Sequence, residues 1–198
     1  MYLLHRIGFK SKFLSYLPFS TTASKEEWDL QYSVGGWDQL NEIKELAHYS
    51  IITGYCTHLK PDGAILDIGC GEGILAKRLP PDNFSSYVGI DISREAILRA
   101  EKVQNEKVAF VCDDAMNYTP ERSFDLIIFS ECLYYFKQSV DTMRRYEKYR
   151  SEKGYIIVSM VSTPRSKRIW KAIGRSFKPI DETRVSHLRG REWIVRVF

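Results

Sequence analysis

The amino-acid sequence predicts an α/β domain: a doubly wound, seven-stranded, mostly parallel sheet with an antiparallel terminal hairpin, preceded by a helical segment. Three observations carry this. Short, near-continuous apolar runs at 64–68, 108–112 and 124–129 alternate with helical stretches, the pattern of a parallel sheet covered on both faces. The first run passes through a glycine-rich turn directly into a helix. The runs at 183–189 and 192–198 flank Arg189-Gly190-Arg191, a connection short enough to force antiparallel pairing.

Residues 25–58 read as helical. Trp28, Leu30 and Tyr32 lead to a Gly35-Gly36 break, and Leu40, Ile43, Leu46, Ala47, Ser50 and Ile51 then mark one face of a longer helix. Pro61-Asp62-Gly63 is a turn, after which the period changes. A strand at 64–68 leads to a helix at 74–79 and a second strand at 87–90. Ser93 caps a helix through Gln104, with Ala96 and Ile97 inward. The third strand is Val108–Cys112 and the fourth 124–129. A tyrosine-rich helix covers about 139–150, a fifth strand 154–161 and a basic helix about 165–177, before the hairpin.

With 198 residues, 44% hydrophobic and 27% charged, the chain suits one compact domain, and the disordered and fibrous classes fall away. A domain of this size buries roughly 70% of its unfolded surface and needs neither disulfide nor structural metal. Cys56, Cys70, Cys112 and Cys132 show no CxxC or metal-ligand spacing and sit among apolar residues, so no metal and a reducing, cytoplasmic compartment are expected. No apolar run reaches the roughly 18–20 residues of a membrane span.

The net charge of +4 hides a gradient: residues 1–24 carry +3, residues 165–198 carry +7, and the stretch between them carries −6. In residues 1–24, Leu3, Leu4, Ile7, Leu14 and Leu17 recur at near-helical spacing among Arg6, Lys10 and Lys12. This basic, apolar arm suits weak contact with an anionic membrane. Its broken apolar stretches do not suit a signal peptide. The basic C-terminal stretch suits an anionic acceptor, or is simply a solvated face.

The most informative segment is Ile65-Leu66-Asp67-Ile68-Gly69-Cys70-Gly71-Glu72-Gly73-Ile74-Leu75. Glycines at alternate positions admit positive φ and let a ligand approach the backbone, and the helix beyond offers free N–H groups. A dinucleotide fingerprint, GxGxxG, needs its third glycine where Ile74 stands, and the phosphate-cradling Gly-Lys-Ser/Thr is absent. Asp67, two residues before the first glycine, would repel a pyrophosphate and suits a ligand bearing an ammonium group.

DxGxGxG in this context resembles the first motif of class I S-adenosylmethionine-dependent methyltransferases, and the resemblance continues in register over about residues 64–161. It implies a Rossmann-like methyltransferase fold with S-adenosyl-L-methionine as cofactor. Asp67, Gly69, Cys70, Gly71, Glu72 and Gly73 would form the donor loop. Asp91, with Ile92 after it, would hold the ribose hydroxyls, since charged two-oxygen acceptors suit a vicinal diol. Asp113, Asp114 and Ala115 would meet the adenine, and Ser130 would close the donor side of the fourth strand. The resemblance also divides the chain into an arm (1–24), a helical lid (25–60) and the donor-binding domain (61–198). The lid would place Tyr32 and Trp37 against the donor, with His48 and Tyr49 beside the reacting centre. The stretch from Ser130-Glu131-Cys132-Leu133-Tyr134-Tyr135 through Thr163-Pro164-Arg165 to the closing hairpin is similar to the nodulation chitooligosaccharide N-methyltransferases and to small bacterial enzymes of glycan or natural-product pathways.

Methyl transfer from a sulfonium mainly needs alignment, and a base only when the acceptor must lose a proton. The sequence therefore speaks more clearly about donor than acceptor. Glu131 is a candidate to touch donor or acceptor, or else to cap the following helix. His48 is a candidate base or carboxylate contact, or else a surface histidine. Tyr49, Tyr134 and Tyr135 are candidates for the acceptor pocket, the last two equally for the core. The expected acceptor is a small molecule or saccharide, methylated on O or N. Two alternatives stand beside it. One is an RNA methyltransferase using the basic C-terminal face, against which the Asp/Asn-Pro-Pro-Tyr/Phe signature and an RNA-binding module are missing. The other is a non-catalytic S-adenosylmethionine-binding module.

Overall fold

The computed structural model describes residues 23–188 and 190–198. The arm expected over 1–24 and its membrane contact lie, up to Thr22, outside the described residues. Ser24 opens the first helix, α1 (Lys25–Ser33), with a closed capping box: its hydroxyl accepts from the Glu27 N–H, and the Glu27 carboxylate accepts from the Ser24 N–H at 2.7 Å. A 3-10 turn at Asp38–Asn41 leads into α2 (Ile43–Leu59).

The sheet consists of β1 (Gly63–Ile68), β2 (Phe84–Asp91), β3 (Val108–Cys112), β4 (Phe124–Ser130), β5 (Arg150–Val161), β6 (Asp181–Ser186) and β7 (Glu192–Val197). Between the strands run α3 (Ile74–Arg78), α4 (Arg94–Ala100), α5 (Ser139–Glu147) and α6 (Pro164–Ile173). The strand order is β3-β2-β1-β4-β5-β7-β6. The first five strands are parallel, and β7 runs antiparallel to both β5 and β6. The winding reverses between β1 and β4, and at such a switch point a crevice opens beyond the strand ends.

Strand parity divides the core. Leu126 and Ile128 face Tyr49, Ile52, Cys56, Ile74 and Leu75 on the α2–α3 side. Ile127 and Phe129 face Met143, Tyr146, Trp170 and Ile173 on the α5–α6 side. Each of these fully buried aliphatics contributes about 1.5–3 kcal/mol. The same parity turns Asp67 with Ile65 toward the α2 layer, and that decides its surroundings below.

The expected doubly wound sheet with its antiparallel hairpin is present; boundaries and one helix face differ. β2 starts at Phe84 rather than 87. β5 starts at Arg150 rather than 154, because its first residue pairs with Phe124 before a register shift. α5 stops at Glu147 and α6 at Ile173, while β6 covers 181–186 rather than 183–189. On α2 the buried residues are Glu45, His48, Tyr49, Ile52 and Cys56; Ile43 and Leu46, expected inward, are exposed. Among the described residues no helix is long and apolar enough to cross a membrane.

Candidate functional site

A cleft of about 1160 Å³ opens over the carboxyl ends of β1, β2, β3 and β4, roofed by α1, the 3-10 turn and the first turns of α2. Its floor is the glycine loop. Gly69 and Gly71 have φ of 69° and 56°, and the N–H groups of Gly69 and Cys70 both donate to the Ile90 carbonyl, hanging the loop on the end of β2. A Cβ on Gly71 would lie 2.7 Å from the Tyr32 hydroxyl, so this turn is bare where the roof comes down. Cys70 and Glu72 complete the cleft side of the loop.

Asp91 ends β2 inside the cleft. One oxygen accepts from the Gly71 N–H and the other from the Ser93 N–H, both at 2.9 Å. Burial pushes its pKa up to about 6 even against those two bonds. Each oxygen retains a lone pair for a ligand. Beyond β3, Asp113 and Asp114 turn the chain: an Asp113 oxygen accepts from the Asp114 N–H, and an Asp114 oxygen from the Met116 N–H. Both carboxylates line the cleft, as do Ile92 and Ala115, and the Ala115 carbonyl is fixed by the Tyr146 hydroxyl at 2.8 Å.

At the end of β4, Ser130 lines the cleft with a buried hydroxyl that has no partner among the described residues. Glu131 follows in the left-handed region, at φ 56°, a conformation a non-glycine residue adopts only when its surroundings enforce it. Three bonds do so. Ser159 Oγ donates to Oε1 at 2.8 Å, and the Val161 N–H and Tyr134 hydroxyl donate to Oε2 at 2.9 and 3.0 Å. Burial nonetheless raises its pKa to about 7. Tyr134 and Tyr135 form the adjoining wall, so this aromatic pair belongs to the cleft as well as to the packing around it.

The roof is fastened to the loop and to α4. Asn41 donates to Glu72 at 2.6 Å; Arg99 reaches Asp38 at 2.9 Å, Glu72 at 3.4 Å and the Tyr32 carbonyl; Ser93 donates to Asp29 at 2.7 Å. Tyr32, Trp37 and Tyr49 all line the cleft.

Three residues predicted for the site stand apart from its lining. Asp67 is 1% exposed, turned toward α2; the Tyr87 hydroxyl donates to one oxygen, the other has no partner among the described residues, and burial pushes its pKa up to about 7. It stands outside the residues that line the cleft, on the α2 side of β1. Gly73 starts α3 at φ 74°, and its missing side chain makes room for the Phe110 ring, a packing role. His48 is completely buried, stacked on Trp193 at 4.9 Å. Burial, with Arg78 and Arg191 nearby, lowers its pKa to about 3. The surface-histidine reading is thus wrong, and the imidazole stands outside the residues that line the cleft.

Sequence reasoning missed a wall built from both ends of the described chain. Arg191, in the β6–β7 turn, reaches the buried carboxylate of Glu45 on α2 at 2.6 Å, and Trp193 underlies it; all three line the cleft. Trp28 was read only as a helix-face residue, yet it lines the cleft and packs edge-on against Tyr135 at 4.7 Å.

A 3-2-1-4-5-7-6 sheet with a glycine loop after its first strand and carboxylates closing the second and third is the Rossmann-like methyltransferase architecture. Residues 42–194 match the family model described as a methyltransferase domain, and the chain belongs to that family, whose methyl donor is S-adenosylmethionine. It is 29% identical over 121 residues to the malonyl-[acyl-carrier protein] O-methyltransferase of Priestia megaterium, a match covering 59% of this chain and 43% of that protein. It is 32% identical over 77 residues to Nodulation protein S of Rhizobium tropici, covering 38% and 32%. The chain thus spans less than half the length of these curated relatives. Among solved structures it resembles the N-methyltransferase NodS from Bradyrhizobium japonicum, crystallised with S-adenosyl-L-homocysteine, at a TM-score of 0.74 and 15% identity over 89% of this chain and 98% of that one. It also resembles the Burkholderia thailandensis 1,6-didemethyltoxoflavin-N1-methyltransferase, at a TM-score of 0.69 and 16% identity over 91% of each chain. At these identities the likeness is one of fold.

Proposed function

We propose that the protein transfers a methyl group from S-adenosylmethionine to O or N of a small-molecule or saccharide acceptor. Residues 61–198 hold the donor, residues 25–60 act as the lid, and the setting is cytoplasmic, in keeping with four free cysteines. The observation that carries this is the convergence of four strand ends on one cleft: the Gly69–Gly71 turn, Asp91, Asp113 with Asp114, and Ser130 with Glu131.

The residues fit the donor. Asp91 has lone pairs left for a ribose diol, the acids after β3 suit an exocyclic amine, and the unpartnered Ser130 hydroxyl is free to bond a polar group. Bound there, the sulfonium supplies an already activated methyl group. The chain's own contribution is alignment and water exclusion beneath Tyr32, Trp37 and Tyr49. Glu131 takes the acceptor's proton: a carboxylate with a pKa near 7 is matched to general-base work at neutral pH.

Calorimetric titration with S-adenosylhomocysteine, followed by screening O- and N-nucleophiles for S-adenosylhomocysteine release, tests the reading. Micromolar binding and acceptor-dependent turnover are the expected result. A folded protein that does not bind S-adenosylhomocysteine would refute it.

A further inference from the structure

The acceptor end of the cleft has a composition that the methyl-transfer reading does not itself require. Glu131, Tyr134, Tyr135 and Trp28 form a continuous chain of contacts. The Tyr134 hydroxyl donates to the Glu131 carboxylate, the Tyr134 and Tyr135 rings meet at 4.6 Å and 69°, and Trp28 meets Tyr135 at 4.7 Å and 82°. Rings nearly perpendicular to one another form corners, not a flat stack, and all four residues line the cleft. A corner of electron-rich rings beside a carboxylate is complementary to an organic cation. The carboxylate still has room for one: Oε1 accepts a single bond, from Ser159, and keeps a lone pair. A saccharide hydroxyl would gain the carboxylate's hydrogen bond but no cation–π attraction, because it carries no charge. Arg165 acts electrostatically on Tyr135, so a cation held here depends on Glu131 for its balance.

We propose that the acceptor is an amine, held as its ammonium between Trp28, Tyr134, Tyr135 and the Glu131 carboxylate, and methylated on that nitrogen. This deepens the methyl-transfer reading and rests on it. The ammonium gives one proton to Glu131. The freed nitrogen lone pair then forms the new N–C bond as the C–S bond breaks, its electron pair remaining on sulfur. A methylated ammonium and a neutral thioether result.

The test uses protein saturated with S-adenosylhomocysteine, so that no sulfonium competes for the rings. It is titrated with tetramethylammonium and with tert-butanol, a neutral probe of similar size, and tryptophan fluorescence is followed. Saturable binding of the cation alone is expected. Trp28→Leu and Glu131→Gln should each weaken it about fivefold or more, while Trp28→Phe keeps most of the affinity. Equal response to both probes, or a cation affinity indifferent to Trp28→Leu and Glu131→Gln, overturns the proposal. So does an acceptor screen in which alcohols turn over and matched amines do not. Failure to bind S-adenosylhomocysteine would refute the donor reading instead, which keeps the two failures distinct.

Discussion

Replacing Asp67 by asparagine isolates the cost of keeping a carboxylate behind the glycine loop. In the folded protein this side chain is 1% exposed, and burial lifts its pKa from 3.8 to about 7. Between about pH 4 and 7 the folded chain therefore keeps a proton that the unfolded chain has shed. Stability falls as pH rises through that window and levels off above the folded value. From pH 5 to pH 8 this one group costs about 2–3 kcal/mol. An amide does not titrate there, and its oxygen still accepts from the Tyr87 hydroxyl. The advantage of Asp67→Asn over the parent should grow by about 2–3 kcal/mol between pH 5 and pH 8. Urea unfolding of both proteins, followed by circular dichroism at unit pH intervals, reads this directly. The raised pKa values of Asp91 and Glu131 are common to both proteins, save for the repulsion between Asp91 and Asp67 that the amide relieves. A stability difference that stays constant from pH 5 to 8 would mean Asp67 does not titrate in this window, and the reasoning fails. A gain in stability accompanied by weaker S-adenosylhomocysteine binding would mark a charge retained for function.

Asp91→Ala removes a charged acceptor inside the cleft as well as the two backbone bonds that set the loop; S-adenosylhomocysteine affinity by calorimetry should fall about 10- to 150-fold, equivalent to 1.5–3 kcal/mol. Gly71→Ala and Gly73→Ala should separate: the first pushes into Tyr32 and loses donor affinity with the fold retained, whereas the second pushes into the Phe110 ring and lowers the urea midpoint. Equal effects of the two on binding would show that the loop has no cleft-facing side. His48→Phe keeps the stack on Trp193 and removes two ring nitrogens that have no hydrogen-bond partner among the described residues, so stability at pH 7 should rise by about 1–3 kcal/mol. The unfolded histidine protonates near 6.5 while the folded one stays neutral to about 3. The advantage of the variant over the parent should therefore grow as pH falls between those values. The pH profile of methyl transfer should be unaltered by this change; a changed acidic limb would return His48 to the chemistry as a base.

The sheet was legible because parallel strands buried on both faces are written as uninterrupted apolar runs, and the 124–129 run became β4 with one residue added. Asp91, Asp113 and Glu131 were legible for a different reason: strand ends are where a doubly wound fold presents side chains to a ligand. What was not legible depended on partners far away in the chain. Hydropathy placed Ile43 and Leu46 inward on α2, yet the helix turns Glu45 and His48 into the protein, because Arg191 supplies the countercharge and Trp193 the stacking surface. Nothing within the helix announces a guanidinium 146 residues later. Asp67 illustrates the limit of motif reading: its place before the glycines was clear, but strand parity aims it at Tyr87 and away from the cleft.

The Glu45–Arg191 contact also governs when the site can exist. On the ribosome the chain emerges at about 5–20 residues per second, and β1 to β4 with their helices are complete well before β7 appears. Until then Glu45 lacks the guanidinium that meets it at 2.6 Å, and Tyr55 lacks its partners Asp181 and Thr183. The roof over the glycine loop can form once Glu72, Ser93 and Arg99 are in place to fasten it, but the wall beside it cannot. A nascent chain released before β7 therefore carries an intact donor loop beside an open flank. Competence arrives with the β6–β7 hairpin, whose Arg191 meets a carboxylate translated 146 residues earlier.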